Sequence, residues 1–176
     1  MKQLITPDWI INSIYQIKPQ DLIRLGIKGV IVDLDNTLLA WNEYNRSQRM
    51  DDWLQEMLNH HIKVFILSNN NPSRVQKALD KLTIPYKARA LKPFKISFNQ
   101  AVATLNLDKK EIVVIGDQLM TDVIGAKLCQ LKVILVKPLV DSDIIFTWLN
   151  RSLEKLLMKK IGIVRTNDWG DTLETR

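Results

Sequence analysis

The residues best suited to chemistry in this sequence are four groups of polar side chains, each placed after a run of apolar residues. The first group is the segment DLDNT, from Asp33 to Thr37, which follows the apolar run GVIV. In an extended chain two carboxylates two residues apart point to the same side, so Asp33 and Asp35 can face one reacting centre. Two like charges held together repel each other and raise one pKa, unless a cation or a shared proton compensates them. The alternative is a polar turn that ends a strand, in which Asp and Asn are common.

Three further groups later in the chain add a hydroxyl, an amine and two more carboxylates. Ser68 and Asn69 follow the apolar run VFIL, where a hydroxyl and backbone N–H groups can hold phosphate oxygens. Lys92 can offset the charge of a phosphate, and Asp117 and Asp122 offer the oxygen ligands that Mg²⁺ prefers. Taken singly, each group is explained at least as well by a loop, a helix cap or a surface lysine. Their order gives them weight, because each one follows a separate predicted strand.

The elements that must position these groups are predicted from a change of periodicity along the chain. Short β-branched runs alternate with stretches whose apolar residues recur at helical spacing. This alternation over residues 29–136 predicts an open parallel sheet of five strands with helices on both faces. Ligands bind such sheets at the carboxyl ends of the strands, which is where all four groups lie. The predicted strands are residues 29–32, 63–67, 85–88, 111–115 and 132–136, and helices are predicted around residues 50–58, 75–82 and 98–105.

The order of the groups, an acid pair, a hydroxyl, a lysine and then two acids, resembles the haloacid dehalogenase superfamily of phosphatases. The resemblance covers about residues 29–136 and implies a Rossmann-like α/β fold, Mg²⁺ as the cofactor and a phosphorylated substrate. It also implies that Asp33 is a nucleophile that forms a phosphoaspartate and that Asp35 is the general acid and base. The implied ligands of Mg²⁺ are Asp33, the backbone carbonyl of Asp35, Asp117 and Asp122, and the implied phosphate-binding residues are Ser68, Asn69 and Lys92.

The spacing between the groups narrows the resemblance to one branch. Residues 38–67 separate Thr37 from Ser68, and residues 69–91 separate Ser68 from Lys92. Neither interval can hold a large cap domain as well as its crossover helix, so the site should be open and roofed only by a short loop, residues 39–45. The sequence looks like the capless subfamily IIIA, in the branch of the YqeG phosphatases and phosphatidylglycerophosphatases. The resemblance therefore implies a lipid phosphomonoester at a membrane surface, phosphatidylglycerophosphate, as the substrate.

Outside this core, the sequence predicts helical flanks within a single domain of residues 1–176. One or two short helices are predicted in residues 7–25, and an amphipathic helix is predicted at about residues 143–160. Its basic side carries Lys155, Lys159 and Lys160, so this helix either lies on an anionic membrane surface or packs its apolar side on the sheet. The tail, residues 166–176, is polar and is predicted to be loose.

Composition favours a soluble protein of a reducing compartment. The formal charge of +6 and a pI of about 9.4 favour anionic partners, which include phosphorylated small molecules, membranes and nucleic acid. No apolar stretch has the length of a membrane span or the pattern of a signal peptide, and the lone Cys129 has no partner for a disulfide. We therefore expect a cytoplasmic protein, peripheral at the inner face of the membrane if its substrate is a lipid. The sequence leaves the oligomeric state open.

Several rival functions remain open at this point. A phosphorylated receiver domain has a similar sheet, but it resembles a pattern whose phosphorylated Asp follows the third strand, and here the third candidate strand leads to Lys92. A phosphatase of nucleic-acid ends, or of a soluble nucleotide or sugar phosphate, fits the basic charge, although no stacking platform for single strands is recognisable. An inactive adaptor is disfavoured because all four groups are intact. Dehalogenation is disfavoured by Asp35, because dehalogenases of the superfamily lack this second aspartate.

Overall fold

A parallel sheet of six strands forms the centre of the computed structural model, which describes residues 2–140 and 148–173. Every pair of neighbouring strands in the sheet is parallel. The strands are β1 (Trp9–Ile11), β2 (Gly29–Val32), β3 (Lys63–Leu67), β4 (Tyr86–Lys87), β5 (Ile112–Gly116) and β6 (Lys132–Val136), and they lie in the order β1-β6-β5-β2-β3-β4.

The middle of the sheet is occupied by β2, which pairs with β3 on one side and β5 on the other. The chain runs outward from β2 through β3 to β4, then returns to β5 and runs outward to β6 on the other side. Such a reversal opens a crevice beyond the carboxyl ends of the strands. The segment that begins with Asp33 therefore enters this crevice directly from β2.

Two of the helices begin at residues whose side chains cap the first turn. Ser47 accepts the backbone N–H of Met50 at the start of the third helix, and Asn71 accepts the N–H of Arg74 at the start of the fourth, whose first residue is Pro72. The α-helices of the described chain are α1 (Lys2–Ile5), α2 (Pro19–Arg24), α3 (Gln48–Asn59), α4 (Pro72–Ala78), α5 (Lys95–Leu105), α6 (Ile124–Leu128) and α7 (Trp148–Ile161). Short 3-10 turns lie at Ile14–Gln16 and Lys109–Glu111, and a π-helical turn, Leu119–Val123, leads into α6.

Both faces of the sheet are covered, because its strands bury side chains on both sides. Val30 and Val32 of β2 belong to one apolar cluster, which includes Trp53 of α3. The intervening Ile31 belongs to a second cluster, which includes Phe98 of α5. This alternation agrees with the prediction of a doubly covered parallel sheet.

The prediction of one or two short helices in residues 7–25 is confirmed by α2 and the 3-10 turn at Ile14–Gln16, but residues 9–11 form the edge strand β1. All three residues of β1 are buried against β6 and the adjoining elements. Asp8 fixes the entry to the strand, since its carboxylate accepts the backbone N–H of Val133 at 2.7 Å. A short apolar run fits a strand as well as a helix, and a pairing with a strand that is remote in sequence decides between them here. The sheet consequently has six strands instead of the predicted five.

The C-terminal helix packs on the core through part of its length. The described helix is α7, and the predicted helical residues 143–147 lie outside the described residues. Met158 of α7 is buried in the same apolar cluster as Ile31. Among the described residues, no helix combines the length and apolar character needed to cross a membrane.

The tail after α7 is also attached to the core, so the prediction of a loose tail is wrong for residues 166–173. Trp169 and Leu173 are buried. Asn12 holds the tail in place, because its side-chain oxygen accepts the backbone N–H of Trp169 at 3.1 Å. The prediction failed because it rested on the average polarity of the segment. Two apolar side chains are enough to attach a polar segment to the core, and an average does not show them.

Replacing Ile11 with Ala should lower the free energy of unfolding by about 2–5 kcal/mol, the usual cost of truncating a buried isoleucine. Ile11 is fully buried in β1. In the control, Ile23→Ala, the side chain is 53% exposed on α2, so the change should be about 0.5 kcal/mol or less. Urea unfolding monitored by far-ultraviolet circular dichroism measures both. Equally small effects of the two substitutions would contradict the placement of residues 9–11 in the sheet.

Candidate active site

The four polar groups singled out in the sequence meet at the carboxyl edge of the sheet. Asp33 follows β2, Ser68 follows β3, Lys92 lies in the loop after β4, and Asp117 follows β5. These side chains are buried, and Asp122, on the π-helical turn after β5, is buried with them. The succession of groups along the chain thus becomes one cluster in space.

Lys92 lies at the centre of this cluster and forms two short ion pairs. Its ammonium donates to Asp33 Oδ1 at 2.5 Å and to Asp122 Oδ1 at 2.7 Å. Burial by itself lowers the pKa of Lys92, but the Asp122 and Asp33 carboxylates outweigh burial and raise this pKa above its ordinary value. Lys92 therefore carries a fixed positive charge at this edge of the sheet.

Three buried carboxylates surround the same position. Asp33, Asp117 and Asp122 each offer an oxygen atom, and these three atoms lie within 4.8 Å of one another. Burial raises the pKa of Asp33 to about 7, with Lys92 opposing and Asp122 adding to the shift. Burial also raises the pKa of Asp117 well above its ordinary range, and the charges of Asp33 and Asp122 add to the effect.

This donor set fits Mg²⁺. The ion prefers hard oxygen ligands and is usually held by one or two carboxylates together with phosphate and water. With all three carboxylates ionised, one ammonium leaves a net negative charge in a buried place, which a divalent cation would offset. Asp33, Asp117 and Asp122 are therefore the side chains that would hold it.

Gly116, the last residue of β5, makes room for Asp122. A Cβ atom at this position would lie 2.3–2.6 Å from side-chain atoms of Asp122, which is closer than packed atoms approach. Asp122 is in turn held by the backbone N–H of Gln118, which donates to its Oδ2 at 3.1 Å. The π-helical turn thus folds the second acid of the GDQLMTD segment back onto the strand end.

Asp35 lies beside the cluster but has a separate set of partners. Ser68 Oγ donates to Asp35 Oδ2 at 3.2 Å, and Asn70 Nδ2 donates to the same oxygen at 3.3 Å. Arg74 Nε donates to Asp35 Oδ1 at 3.0 Å. The Asp35 side chain is 21% exposed, whereas that of Asp33 is 8% exposed. The two acids of the DLDNT segment therefore occupy different environments, one among carboxylates and one among donors.

The side chain of Asn69 is committed to the loop that carries Lys92. Asn69 Oδ1 accepts the backbone N–H of Lys92 at 2.7 Å, and Asn69 Nδ2 donates to the backbone carbonyl of Lys92 at 3.2 Å. This geometry favours a positioning role for the Asn69 amide over the direct contact with phosphate inferred from the sequence.

Arg74 is a site residue that the sequence interpretation missed. Beyond its ion pair with Asp35, its guanidinium donates to the backbone carbonyls of Ala40, at 3.1 Å, and Glu43. It also lies 5.6 Å from the centroid of the Tyr44 ring. Arg74 therefore ties the loop over the site to the second aspartate. A signal was present, because the helix dipole opposes a cation in the first turn of a helix, and Arg74 lies in the first turn of α4.

A second missed contribution comes from the C-terminal segment. Arg165 donates to the backbone carbonyl of Asp117 at 2.8 Å and forms an ion pair with Glu154 of α7 at 3.1 Å. Glu154 also accepts the backbone N–H of Leu119 at 2.6 Å. These contacts hold the loop that follows β5. Nothing in the sequence links an acid in a late helix to a loop more than 30 residues earlier.

Known proteins resemble this chain in sequence. The family model described as HAD-hydrolase-like matches residues 90–138, a stretch that contains Lys92, Asp117 and Asp122. The probable phosphatase YqeG of Bacillus subtilis is 41% identical over 161 residues, which make up 92% of this chain and 94% of YqeG.

Two solved structures share the fold at low sequence identity. The cobalt-bound deoxy-D-mannose-octulosonate 8-phosphate phosphatase YrbI of Haemophilus influenzae superimposes with a TM-score of 0.54 at 15% identity, over 81% of this chain and 92% of its own. An uncharacterized protein of Listeria monocytogenes gives a TM-score of 0.51 at 18% identity, over 76% of this chain and 99% of its own. At these identities the likeness concerns the fold alone.

Mg²⁺ should stabilise the protein more at about pH 8 than at about pH 5.5, because the carboxylates must lose their protons to bind a cation. Without metal, Asp33 has a pKa of about 7, so it is mostly protonated at the lower pH and mostly ionised at the higher. At about 100 times its Kd, a bound ion stabilises the native state by about 2.7 kcal/mol. Thermal unfolding with and without Mg²⁺ measures the effect.

The matched variant for this measurement is Asp117→Asn, which removes one ligand charge and should abolish most of the shift. A shift of equal size at both pH values, or an undiminished shift in the variant, would count against a metal site at these residues.

Proposed function

This chain belongs to the haloacid dehalogenase superfamily, in the branch of its IIIA phosphatases that contains YqeG, and from that membership we propose how its own residues act. It is a phosphatase, and Mg²⁺ is its cofactor. When bound, Mg²⁺ neutralises charge between an anionic nucleophile and an anionic phosphate. We propose that it is held by Asp33, Asp117 and the backbone carbonyl of Asp35, with Asp122 directly or through water.

The proposed reaction has two displacements at phosphorus. In the first, the Asp33 carboxylate attacks the phosphate, an oxygen–phosphorus bond forms, and the bond to the ester oxygen breaks as Asp35 gives that oxygen a proton. In the second, water attacks the phosphoaspartate, Asp35 takes the proton of the water, and phosphate leaves with Asp33 regenerated. Lys92 and Ser68 hold the oxygens of the transferring group.

The observation that supports this division of roles best is the contrast between the two acids of one segment. Asp33 lies in the carboxylate cluster and contacts the Lys92 ammonium, as a nucleophile beside a metal and a phosphate must. Asp35 bonds instead to Ser68, Asn70 and Arg74 and remains partly exposed, so its carboxyl can reach a leaving oxygen and then a water molecule.

Asp33→Asn should abolish hydrolysis of p-nitrophenyl phosphate to the level of the background, because the amide keeps the shape but is a poor nucleophile and a neutral metal ligand. The control is Asp52→Asn, a similar change on the exposed face of α3, which should keep wild-type turnover. Phosphate release at saturating Mg²⁺ measures both. Wild-type turnover of Asp33→Asn would exclude Asp33 as the nucleophile.

Arg74→Ala should slow hydrolysis of an alkyl phosphate at least about tenfold more than hydrolysis of p-nitrophenyl phosphate, because only the alkyl leaving group depends strongly on a positioned proton donor. Lys77→Ala is the matched control, because Lys77 is on the same helix and its ammonium lies 5.5 Å from the centroid of the Tyr44 ring, whereas the ion pair with Asp35 is made by Arg74. The ratio of kcat values for the two substrates is the readout. Equal losses on both substrates would show that Arg74 does not act through Asp35.

We propose further that the substrate is a lipid phosphomonoester, phosphatidylglycerophosphate. The branch of the superfamily is the main support. Between the first acid pair and β3 the fold has only the loop of residues 39–45 and α3, and between β3 and Lys92 it has only α4 and β4. The part of the chain that the structure describes therefore places no cap domain over the site. A substrate whose acyl chains stay in the bilayer needs a site of this open kind.

Phosphate release from phosphatidylglycerophosphate in mixed micelles should exceed that from soluble phosphomonoesters by at least about tenfold in kcat/KM. The comparison panel contains glycerol phosphate, a nucleoside monophosphate and a sugar phosphate, which present the same phosphoryl group without acyl chains. A soluble member of the panel hydrolysed far more efficiently than the lipid would overturn the lipid substrate while leaving the phosphatase chemistry intact.

A further inference from the structure

The segment around Lys92 exposes large apolar side chains at the mouth of the site. Leu91 and Phe94 are each 68% exposed and Ile96 is 80% exposed. Among the large hydrophobic side chains that the structure describes, these three are the most exposed. Exposed apolar residues are normal when scattered singly, but three so strongly exposed within six residues call for an explanation, and these three side chains are called the patch below.

This patch is presented by a well-bonded backbone. Lys92, between two of the exposed residues, is buried and held through its own backbone by Asn69. Ser97 is also buried, and its hydroxyl donates to the carbonyl of Ala90 at 2.7 Å, while the N–H of Phe94 donates to the carbonyl of Leu91 at 3.0 Å. The same segment therefore turns Lys92 inward to the site and leaves its apolar side chains exposed to solvent.

The surroundings of the patch are basic. No Asp or Glu occurs between Asp80 and Asp108, whereas this interval contains Lys81, Lys87, Arg89, Lys92 and Lys95. The charge of Lys92 is balanced by its buried ion pairs with Asp33 and Asp122. Arg89 and Lys95, in contrast, are exposed and adjoin the apolar residues in sequence. An exposed apolar segment whose own charged residues are all cations is complementary to a surface that is apolar inside and anionic outside.

We propose that Leu91, Phe94 and Ile96, together with Arg89 and Lys95, form a docking surface for an anionic lipid bilayer. This inference builds on the lipid substrate proposed above and says how the enzyme reaches it. The apolar side chains enter the boundary between headgroups and acyl chains, and the two cations meet lipid phosphates. Because Lys92 lies inside the same segment, docking brings the mouth of the site to the level of the headgroups.

Other surfaces fit this role less well. In α7, Met158 is buried and Leu157 is partly buried against the core, so these two residues are already in use, and Leu156 is a single exposed apolar side chain at 64%. A second copy of the chain is also disfavoured as the occupant, because a two-fold contact through this surface would bring Arg89 and Lys95 of both copies together with no acid in the segment to pair with them.

The test is sedimentation with vesicles of phosphatidylglycerol, which carries no phosphomonoester, compared with vesicles of phosphatidylcholine. The variant combines Phe94→Ser and Ile96→Ser. Phe94 is the N-cap of α5, where Ser is favourable, so the helix should still form. The matched control combines Ile23→Ser and Leu58→Ser, two partly exposed apolar residues in helices that lead into the amino ends of β2 and β3, away from the site.

We expect the wild type to bind phosphatidylglycerol vesicles and not phosphatidylcholine vesicles, and the Phe94 and Ile96 variant to bind at least about tenfold more weakly. The variant should hydrolyse p-nitrophenyl phosphate at the wild-type rate, which shows that it is folded. Arg89→Gln with Lys95→Gln should also weaken binding, whereas Lys109→Gln with Lys110→Gln, an equal loss of charge elsewhere, should weaken it less.

Unchanged vesicle binding in the Phe94 and Ile96 variant, or equal weakening in the Ile23 and Leu58 control, would overturn the docking surface. A wild type that binds no vesicles and is a dimer, with the variant a monomer by light scattering, would assign the surface to a second copy instead. Vesicle binding is measured without substrate, so it separates the two proposals: binding without hydrolysis of phosphatidylglycerophosphate keeps the surface and rejects the substrate, and the converse result rejects the surface alone.

Discussion

The burial of three carboxylates around one ammonium is the constraint on which the rest of the site depends. Asp33, Asp117 and Asp122 approach one another to within 4.8 Å in a place that water barely reaches, and Lys92 contacts two of them. Such a cluster costs stability unless further positive charge arrives, because buried like charges repel and each resists ionisation. The excess of negative charge that lowers the stability of the empty cluster also makes the cluster a binding site for a divalent cation. With the cation bound, the cluster can bind a phosphate.

Much of the surrounding structure can be understood as support for that cluster. The reversal of strand order at β2 and β5 brings Asp33 and Asp117 to one crevice. Gly116 leaves the space that the Asp122 side chain occupies. The Asn69 side chain forms hydrogen bonds with both the backbone N–H and the backbone carbonyl of Lys92. The C-terminal segment contributes as well, since Arg165 bonds to the carbonyl of Asp117. We expect that removing any of these supports would leave the acids in the chain but change the distances between them.

Sequence alone was enough to predict the alternating core and to single out the acids that the fold brings together, because both leave local signals. Buried parallel strands read as continuous β-branched runs, and Asp33, Lys92 and Asp117 follow three of them directly or within a short loop. The features that the sequence did not predict depend on contacts between distant parts of the chain. The strand at residues 9–11 forms because β6 offers it an edge, and residues 166–173 pack on the core because Trp169 and Leu173 are buried there. The role of Arg74 was hidden because its partners, which lie between Asp35 and Tyr44, are about 30–40 residues away in sequence.

The central claim is that Asp33 carries the phosphoryl group between the two displacements, and Asp35→Asn tests it most directly. With p-nitrophenyl phosphate the first displacement needs little help from an acid, whereas the second needs Asp35 to take a proton from water, so the intermediate should accumulate. Rapid-quench mass spectrometry should then find a burst of nitrophenolate close to one equivalent per enzyme and a phosphoryl group on the peptide that contains Asp33. Continued turnover with no burst and no phosphorylated Asp33 would contradict the account.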